Sequence, residues 1–309
     1  MAQQKKSEAA KKVTVNEVEV QTAPVPSAWR IMWNEIYKDK VALVAFVLFI
    51  VLIVGTFVLA NMAYGSEATL TNLRLRNAEP DSYRILGSDP GGRGVAEMLV
   101  LGARTSIMVG FAVTILASIL GILIGLISGF YGGHVDNIIM RIVDTWIMLP
   151  TLMIIIVLVS IMPGYNTGHF VIIMSLFTWT GTARIMRAMA LRQRNLDYVS
   201  ASKTLGTRNF VIMFREVLPS LVPVITVNLT LTLANNMGIE TGLTFLGFGL
   251  PIGTPSLGRL IAHASAPATL QFRMFQWLPA ALLVFTLMLC IYCVGQALSR
   301  AADVRQRRG

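Results

Sequence analysis

The stretch "YVSASKTLGTRNFVIMFREVLP", residues 198–219, is a polar island between two long apolar runs. It carries Lys203, Arg208 and Arg215, and Arg184, Arg187, Arg192 and Arg194 lie just upstream. Two helices can be joined by a handful of residues. A segment this long and this rich in cations therefore does more than reverse the chain.

Its flanks decide the fold class. The chain of 309 residues is 54% hydrophobic but only 14% charged, where a soluble globular chain is nearer 25% charged. No Lys, Arg, Asp or Glu occurs in residues 41–66, 105–135, 145–183, 217–239 or 274–299. A helix needs roughly 20 apolar residues to cross the hydrocarbon layer, and a charge at its centre costs about 2.5–3.5 kcal/mol. Each window therefore predicts a membrane span. The window 145–183 is too long for one helix, and the turn formers "PGYNTG" at 163–168 divide it. The expectation is an all-α integral membrane protein with six transmembrane helices, at residues 41–62, 106–129, 138–161, 170–189, 218–239 and 275–298.

The net charge of +10 raises the question of nucleic acid, and the placement of the cations answers it. With the N-terminus inside, 19 Lys and Arg fall on cytoplasmic segments and 7 on outer ones. This positive-inside bias puts both termini in the cytoplasm and excludes a nucleic-acid partner. Residues 1–28 are polar, have no apolar core and no secretory signal, and are expected to form a disordered cytoplasmic tail. Residues 29–100 hold the first span and an extracytoplasmic loop. Residues 101–303 form the core with spans two to six, and 304–309 form a basic cytoplasmic tail. The first loop ends in "LGSDPGGRGVAEMLVLGARTSI", which reads as a turn leading into a short surface helix. The second, residues 240–275, mixes Gly, Pro and apolar residues and is expected to dip back toward the membrane, which irregular backbone tolerates only inside protein or a wet cavity.

Several residues have a structural reading. Gly121, Gly125 and Gly129 recur every four residues, a spacing that lets two helix backbones approach closely in lipid. Asp144 lies three residues after Arg141 on one helix face and is expected to pair with it near the membrane surface. Cys290 and Cys293 sit in "LMLCIYCVG" with no other ligand near, so they read as buried apolar side chains. His134, His169 and His263 are scattered, and no metal site is expected.

Within the polar island, Asn195 or Asp197 can cap a short helix, "YVSASKTL" can form two turns of it, and Gly206 can end it. A short helix over about residues 195–208, with a small-residue face and a glycine stop, fits a groove in another protein, with Tyr198 or Leu205 as its anchor. It equally fits a helix lying at the lipid interface with its arginines reaching for water. On the residues alone, both readings stand.

A resemblance separates them. The spacing resembles the loop signature of the membrane subunits of ATP-binding-cassette (ABC) importers, E-A-A, three residues, G, nine residues, I-x-L-P. Ser200, Ala201 and Ser202 occupy the E-A-A places, Gly206 the glycine, and Leu218-Pro219 the L-P. Ser200 stands for the acid, Ser202 for the second alanine and Glu216 for the isoleucine. "LGSDPGGRGVAEMLVLGARTSIMVG", "GFYGGHVDNIIMRIVDTWIMLPTLM", "WTGTARIMRAMALRQRNLDYV" and "ETGLTFLGFGLPIGTPSLG" resemble, in the same order, the C-type membrane subunit of dipeptide, oligopeptide and nickel importers. The resemblance implies the type I ABC importer permease fold in a bacterial or archaeal plasma membrane. It also implies a homologous B-type permease partner, two cytoplasmic ABC ATPases and an extracytoplasmic substrate-binding protein, with a peptide as cargo. The ATPases would be contacted through Asp197, Tyr198, Ser200, Ala201, Ser202, Leu205 and Gly206. No lysine follows a glycine in this chain, so a phosphate-binding loop is absent and ATP and magnesium belong to the partners. The resemblance thus implies a permease subunit and not an enzyme, with no cofactor of its own.

The fifth span is the most polar. Asn228, Thr232, Asn235 and Asn236, with Glu240 beyond them, are expected to face the translocation path. Hydrogen bonding between helices would satisfy the same residues. A nickel or metal-chelate importer of the same architecture is the alternative cargo reading. An ion-coupled carrier would want central acids, and only Asp144 and Glu240 lie near a span. A structural anchor would explain neither the polar span nor the ordered loop.

Overall fold

The computed structural model describes residues 33, 36–62, 70–82 and 84–308, and the tail expected over residues 1–28 lies outside them. Among the described residues the chain is helical, and its only β-type pairing is one isolated bridge between Ser88 and Gly94. Helix α1 spans Lys40–Met62 and α2 Val95–Tyr131. Then come α3, Gly133–Met148, α4, Thr151–Ile161, α5, Thr167–Thr178, and α6, Thr180–Gln193. The short α7, Asp197–Thr204, precedes α8, Val222–Phe245. Two small helices, α9, Leu257–Ala262, and α10, Pro267–Phe272, lead to α11, Leu278–Arg308.

Four of these, α1, α2, α8 and α11, are long and apolar enough to cross a membrane, and a fifth span follows if α3 and α4 count as one broken helix. α1 shows why lipid is the solvent: Val41, Val44, Val47, Val51, Val54 and Val58 along it are all exposed, an apolar patch no soluble monomer carries. α2 is the central rod. It packs against α6, α8, α5 and α1, while α8 and α1 also pack against α11.

The helix bounds depart from expectation in four places. First, no short surface helix precedes the second span, because α2 runs unbroken for 37 residues, roughly 55 Å at 1.5 Å per residue. Gly102 does not stop it. Its missing side chain instead admits the Ser256–Leu257 backbone, whose nearest atom would lie 2.8 Å from a Cβ there. Second, the third span bends by 75° between α3 and α4. Pro150 has no N–H to donate and holds Leu149 extended (φ −71°, ψ 134°). Third, Trp179 interrupts the fourth expected span between α5 and α6 while keeping helical dihedrals (φ −74°, ψ −23°). Fourth, the fifth span starts at Val222, not at residue 218, and continues to Phe245, so Glu240 lies inside α8. A separate turn, Leu218–Ser220, with Pro219 in its first positions, precedes it. The expected basic tail, in turn, continues α11 to Arg308.

Side-chain pairing between helices also differs. Asp144 is bonded by Arg184 of α6 at 2.5 Å, and not by Arg141. A neighbour on the same helix loses to one across the helix interface. Below it, Arg187 of α6 grips Asp136 of α3 with two bonds of 2.6 Å, and Ser128 of α2 donates to the same carboxylate. The stripe Gly121, Gly125 and Gly129 faces α6 so closely that a Cβ would meet Trp179 O at 2.7 Å, Ala183 O at 2.3 Å and Arg187 O at 2.4 Å. Only glycine allows this backbone contact.

Candidate functional site

The polar island forms a compact unit at the C-terminal end of α2. Leu196, in extended conformation, precedes the first turn of α7, and no side chain caps it. Asn195 and Asp197 therefore do not serve as the expected cap. Asp197 instead sits in the first turn, where its negative charge complements the helix dipole. At the other end, Gly206 takes φ +80°, Gly206 N–H donates to Lys203 O at 3.0 Å, and Thr207 N–H donates to Ser202 O at 3.1 Å. This pair of bonds is a Schellman stop, which needs a left-handed residue and so selects glycine.

One face of α7 is anchored and the other is open. Val199 is fully buried among Leu126, Phe130, Ile212, Met213 and Val217. Leu205 is 85% exposed and Tyr198 37% exposed, and a Cβ on Gly206 would meet nothing within 4 Å. Ser200 and Ala201 are exposed as well, while Ser202 is half-buried. Tyr198 donates its hydroxyl to Gln193 Oε1 at 3.0 Å, which steadies the ring without covering it.

The return segment contains a π-helical turn, Met213–Val217, that carries Glu216. Ser202 Oγ lies 2.9 and 2.8 Å from the two carboxylate oxygens of Glu216 and donates to them. Two of the three departures from the loop signature are thus bonded to each other. Ser202 and Glu216 together clasp α7 to the segment that becomes α8. Neither residue signals this alone; a sequence reader could have found it only by treating the two departures as a pair.

Beside α7 lies a polar cavity of about 540 Å³, lined by Arg194, Asn195, Ser200, Lys203 and Asn209 together with Phe130 and Tyr131 at the end of α2. Arg194 donates to Tyr131 O at 3.1 Å, closing the C-terminus of α2. The Lys203 ammonium sits 5.3 Å from the Phe130 ring centroid.

The polar residues of α8 do not share one free face. Asn236 and Glu240 are fully buried within the chain. Asn236 Nδ2 donates to Thr114 Oγ1 of α2 at 3.0 Å, and Glu240 accepts from Thr244 at 3.0 Å and Thr241 at 3.3 Å. They are turned inward by the packing of α8 on α2. Asn228 is half-buried and donates to Thr182 of α6 at 2.9 Å. Thr232 is half-buried and Asn235 is exposed, and the three share a helical face at spacings of four and three residues. The second loop is folded in among the helices: Leu257 and Leu260 of α9 are buried in the cluster with Met98, Ile107 and Leu287, and Leu257 N–H donates to Ser106 of α2 at 3.3 Å.

Comparison with known proteins gives the family of the chain. Residues 121–304 match the family described as the binding-protein-dependent transport system inner membrane component. The chain is 41% identical to the oligopeptide transport system permease protein OppC of Lactococcus lactis subsp. cremoris, over 88% of this chain and 93% of that one. It is 32% identical to the oligopeptide transport system permease protein AmiD of Streptococcus pneumoniae, over 93% and 92%. It is 30% identical to the dipeptide transport system permease protein DppC of Bacillus subtilis, over 89% and 85%. The matched region contains α7, its glycine stop and all of α8, and the chain belongs to the family of binding-protein-dependent transport system inner membrane components.

Proposed function

We propose that this chain is the C-type membrane subunit of an ABC importer of oligopeptides or dipeptides. In this reading it has six spans, α5 and α6 together making the one that length and composition do not identify, and both termini are cytoplasmic. Residues 101–303 form the transporting core. A homologous B-type permease completes the path, an extracytoplasmic binding protein delivers the peptide, and two ATPases, which hold ATP and magnesium, dock on α7. The membrane is the plasma membrane of a bacterium or archaeon.

The observation that carries the reading is the construction of α7: one buried anchor, a glycine stop and an open face with exposed Tyr198 and Leu205. A helix lying on lipid would bury its apolar side chains in the interface and would need no clasp to the next span. Here the Ser202–Glu216 contact ties α7 to the turn that leads into α8, so a push on α7 reaches a membrane-crossing helix through that short segment. ATP-driven closure of the partners biases one of two arrangements of the spans, which is the energetic content of alternating access. Peptide is favoured over nickel or a metal chelate because the relatives above are named for peptide transport.

The decisive experiment purifies the chain with its B-type partner, its ATPases and its binding protein and measures ATP-dependent peptide uptake in vesicles. Tyr198→Asp and Gly206→Trp are expected to release the ATPases while the chain still inserts. Retained ATPases and full uptake in both variants would refute the docking role. For the path, Asn235→Leu is the clean test. Among the described residues Asn235 makes no side-chain hydrogen bond within the chain, whereas Asn228→Leu would also unpair Thr182. A several-fold loss of uptake with unaltered ATPase binding is expected for Asn235→Leu.

A further inference from the structure

The cavity beside α7 has an unbalanced charge. Arg194 and Lys203 both line it, Asn195, Ser200 and Asn209 add neutral polar groups, and no lining residue is acidic. Neither cation forms an ion pair with a carboxylate among the described residues: Asp136, near enough to feel Arg194, is held by Arg187, Arg194 reaches the Tyr131 carbonyl and, at 3.5 Å, Asn195 Oδ1, and Lys203 rests on the Phe130 ring. Both keep donors that these contacts leave unused, since a guanidinium carries five and an ammonium three. The cavity opens beside the exposed face of α7, and Ser200 stands at its edge where the resembled loop signature has an acid.

We propose that this cavity receives a carboxylate side chain of the docked ATPase, so that the partner supplies in trans the negative charge that the cavity lining lacks. The inference rests on the docking role of α7 and adds the chemistry of one contact within it. A carboxylate fits because its two oxygens can accept from the Arg194 fork and the Lys203 ammonium together, while Asn195 and Asn209 also line the cavity. A charge-assisted contact at the edge of an interface governs association and its salt dependence. It also fixes the rotational register of α7 in the partner's groove, which apolar contacts through Tyr198 and Leu205 would leave loose.

The test uses the assembled complex in nanodiscs and the purified cognate ATPases, with association measured over a range of salt. Wild-type association is expected to weaken as salt rises. Lys203→Glu is expected to weaken it about tenfold at low salt and to flatten that salt dependence, and Ser200→Glu, which places an acid at the cavity from within, is expected to act in the same direction. An acid-to-lysine change at the matching ATPase position should restore binding to Lys203→Glu. Association that is unaltered in both variants would overturn the proposal. So would association that follows the anionic-lipid content of the nanodisc, which would make the occupant a lipid phosphate. Tyr198→Asp separates the two levels: if it leaves the ATPases bound, the docking role itself fails, whereas if it releases them and the charge variants do not, only the carboxylate contact is wrong.

Discussion

The two ends of α2 carry irregular segments that are built on opposite terms. At its N-terminal end, residues 70–94 close over a fully buried aspartate. Asp89 accepts from Gly91 N–H at 2.8 Å, Arg93 N–H at 2.9 Å and Arg93 Nε at 2.8 Å. Nearby, Gln276, also fully buried, donates to Asn77 Oδ1 at 3.0 Å and Ser88 O at 2.8 Å, stitching this loop to the entry of α11. His263 belongs to this end, and burial holds its imidazole below the ordinary range, so it stays neutral at neutral pH. At the C-terminal end, α7 is held by one buried side chain and by the Ser202 hydroxyl shared between the two Glu216 carboxylate oxygens, and it exposes the rest. The N-terminal end thus holds its buried carboxylate with its own donors, although Gln276 Oε1 and His263 Nδ1 are buried there without a hydrogen-bond partner. Both ends also face outward, with Leu70, Leu73, Ile85, Arg74 and Arg76 exposed at the first and Tyr198, Leu205 and Lys203 at the second, and what differs is how many bonds tie each segment down.

The sharpest way to break this contrast is at the N-terminal end of α2. Asp89→Ala would leave Arg93 and two backbone N–H groups without their acceptor in a site closed to water. The Arg93 side chain is only 17% exposed and the Asp89 side chain not at all. Removing one partner of such a pair costs about 3–5 kcal/mol. The expected outcome is a marked fall in the thermal unfolding midpoint in detergent, or failure to accumulate in the membrane. A midpoint within a degree or two of wild type would mean that this loop is as loosely held as α7.

The rod that joins the two ends comes next. A side chain at Gly125 would stand 2.3 Å from Ala183 O and 2.8 Å from Met186 Cβ, atoms of the α6 backbone and its stem that cannot rotate away. Gly125→Leu is therefore expected to force α2 and α6 apart. The cost is about 1–3 kcal/mol, the usual range for overpacking, and is read as a lower unfolding midpoint and weakened uptake. Loss of uptake without loss of stability would show that the α2–α6 contact moves during the cycle.

Parts of this architecture are legible in the residues and parts are not. The charge-free windows locate α1, α2, α8 and α11 because removing charge from a span is costly. The glycine stripe predicts close packing because its period of four matches a helix face. Gly206 predicts the end of α7 because only a left-handed residue closes a Schellman stop. The bonds that link distant segments are not legible. Arg141 is the nearest cation to Asp144 along the chain, yet Arg184, forty residues away, takes it, because two helices side by side offer better geometry than two residues one turn apart. The same limit hid Asp136–Arg187, although both charges sit at the edges of long apolar windows, where an unpaired charge is costly. It also merged the polar residues of α8 into one face. Spacing alone does not reveal that α2 packs over Asn236 and Glu240 while leaving Asn235 open.

The smallest effect on stability is expected where the α7 end is tied to its span. Ser202→Ala removes one hydrogen bond, and Glu216→Gln keeps the shape of the acceptor while discharging it; each is expected to cost about 1 kcal/mol or less. If the two residues act only through each other, the double variant should cost no more than the single ones, since the bond can be lost only once. The informative readout is peptide transported per ATP hydrolysed. A clasp that carries motion from α7 to α8 predicts that this ratio drops several-fold while ATPase binding and the unfolding midpoint stay close to wild type. Ser202→Thr, which retains the hydroxyl, should restore the ratio. If the ratio is unaltered in all of these variants, the Ser202–Glu216 contact serves only to shape the loop, and coupling runs through the buried Val199 anchor instead.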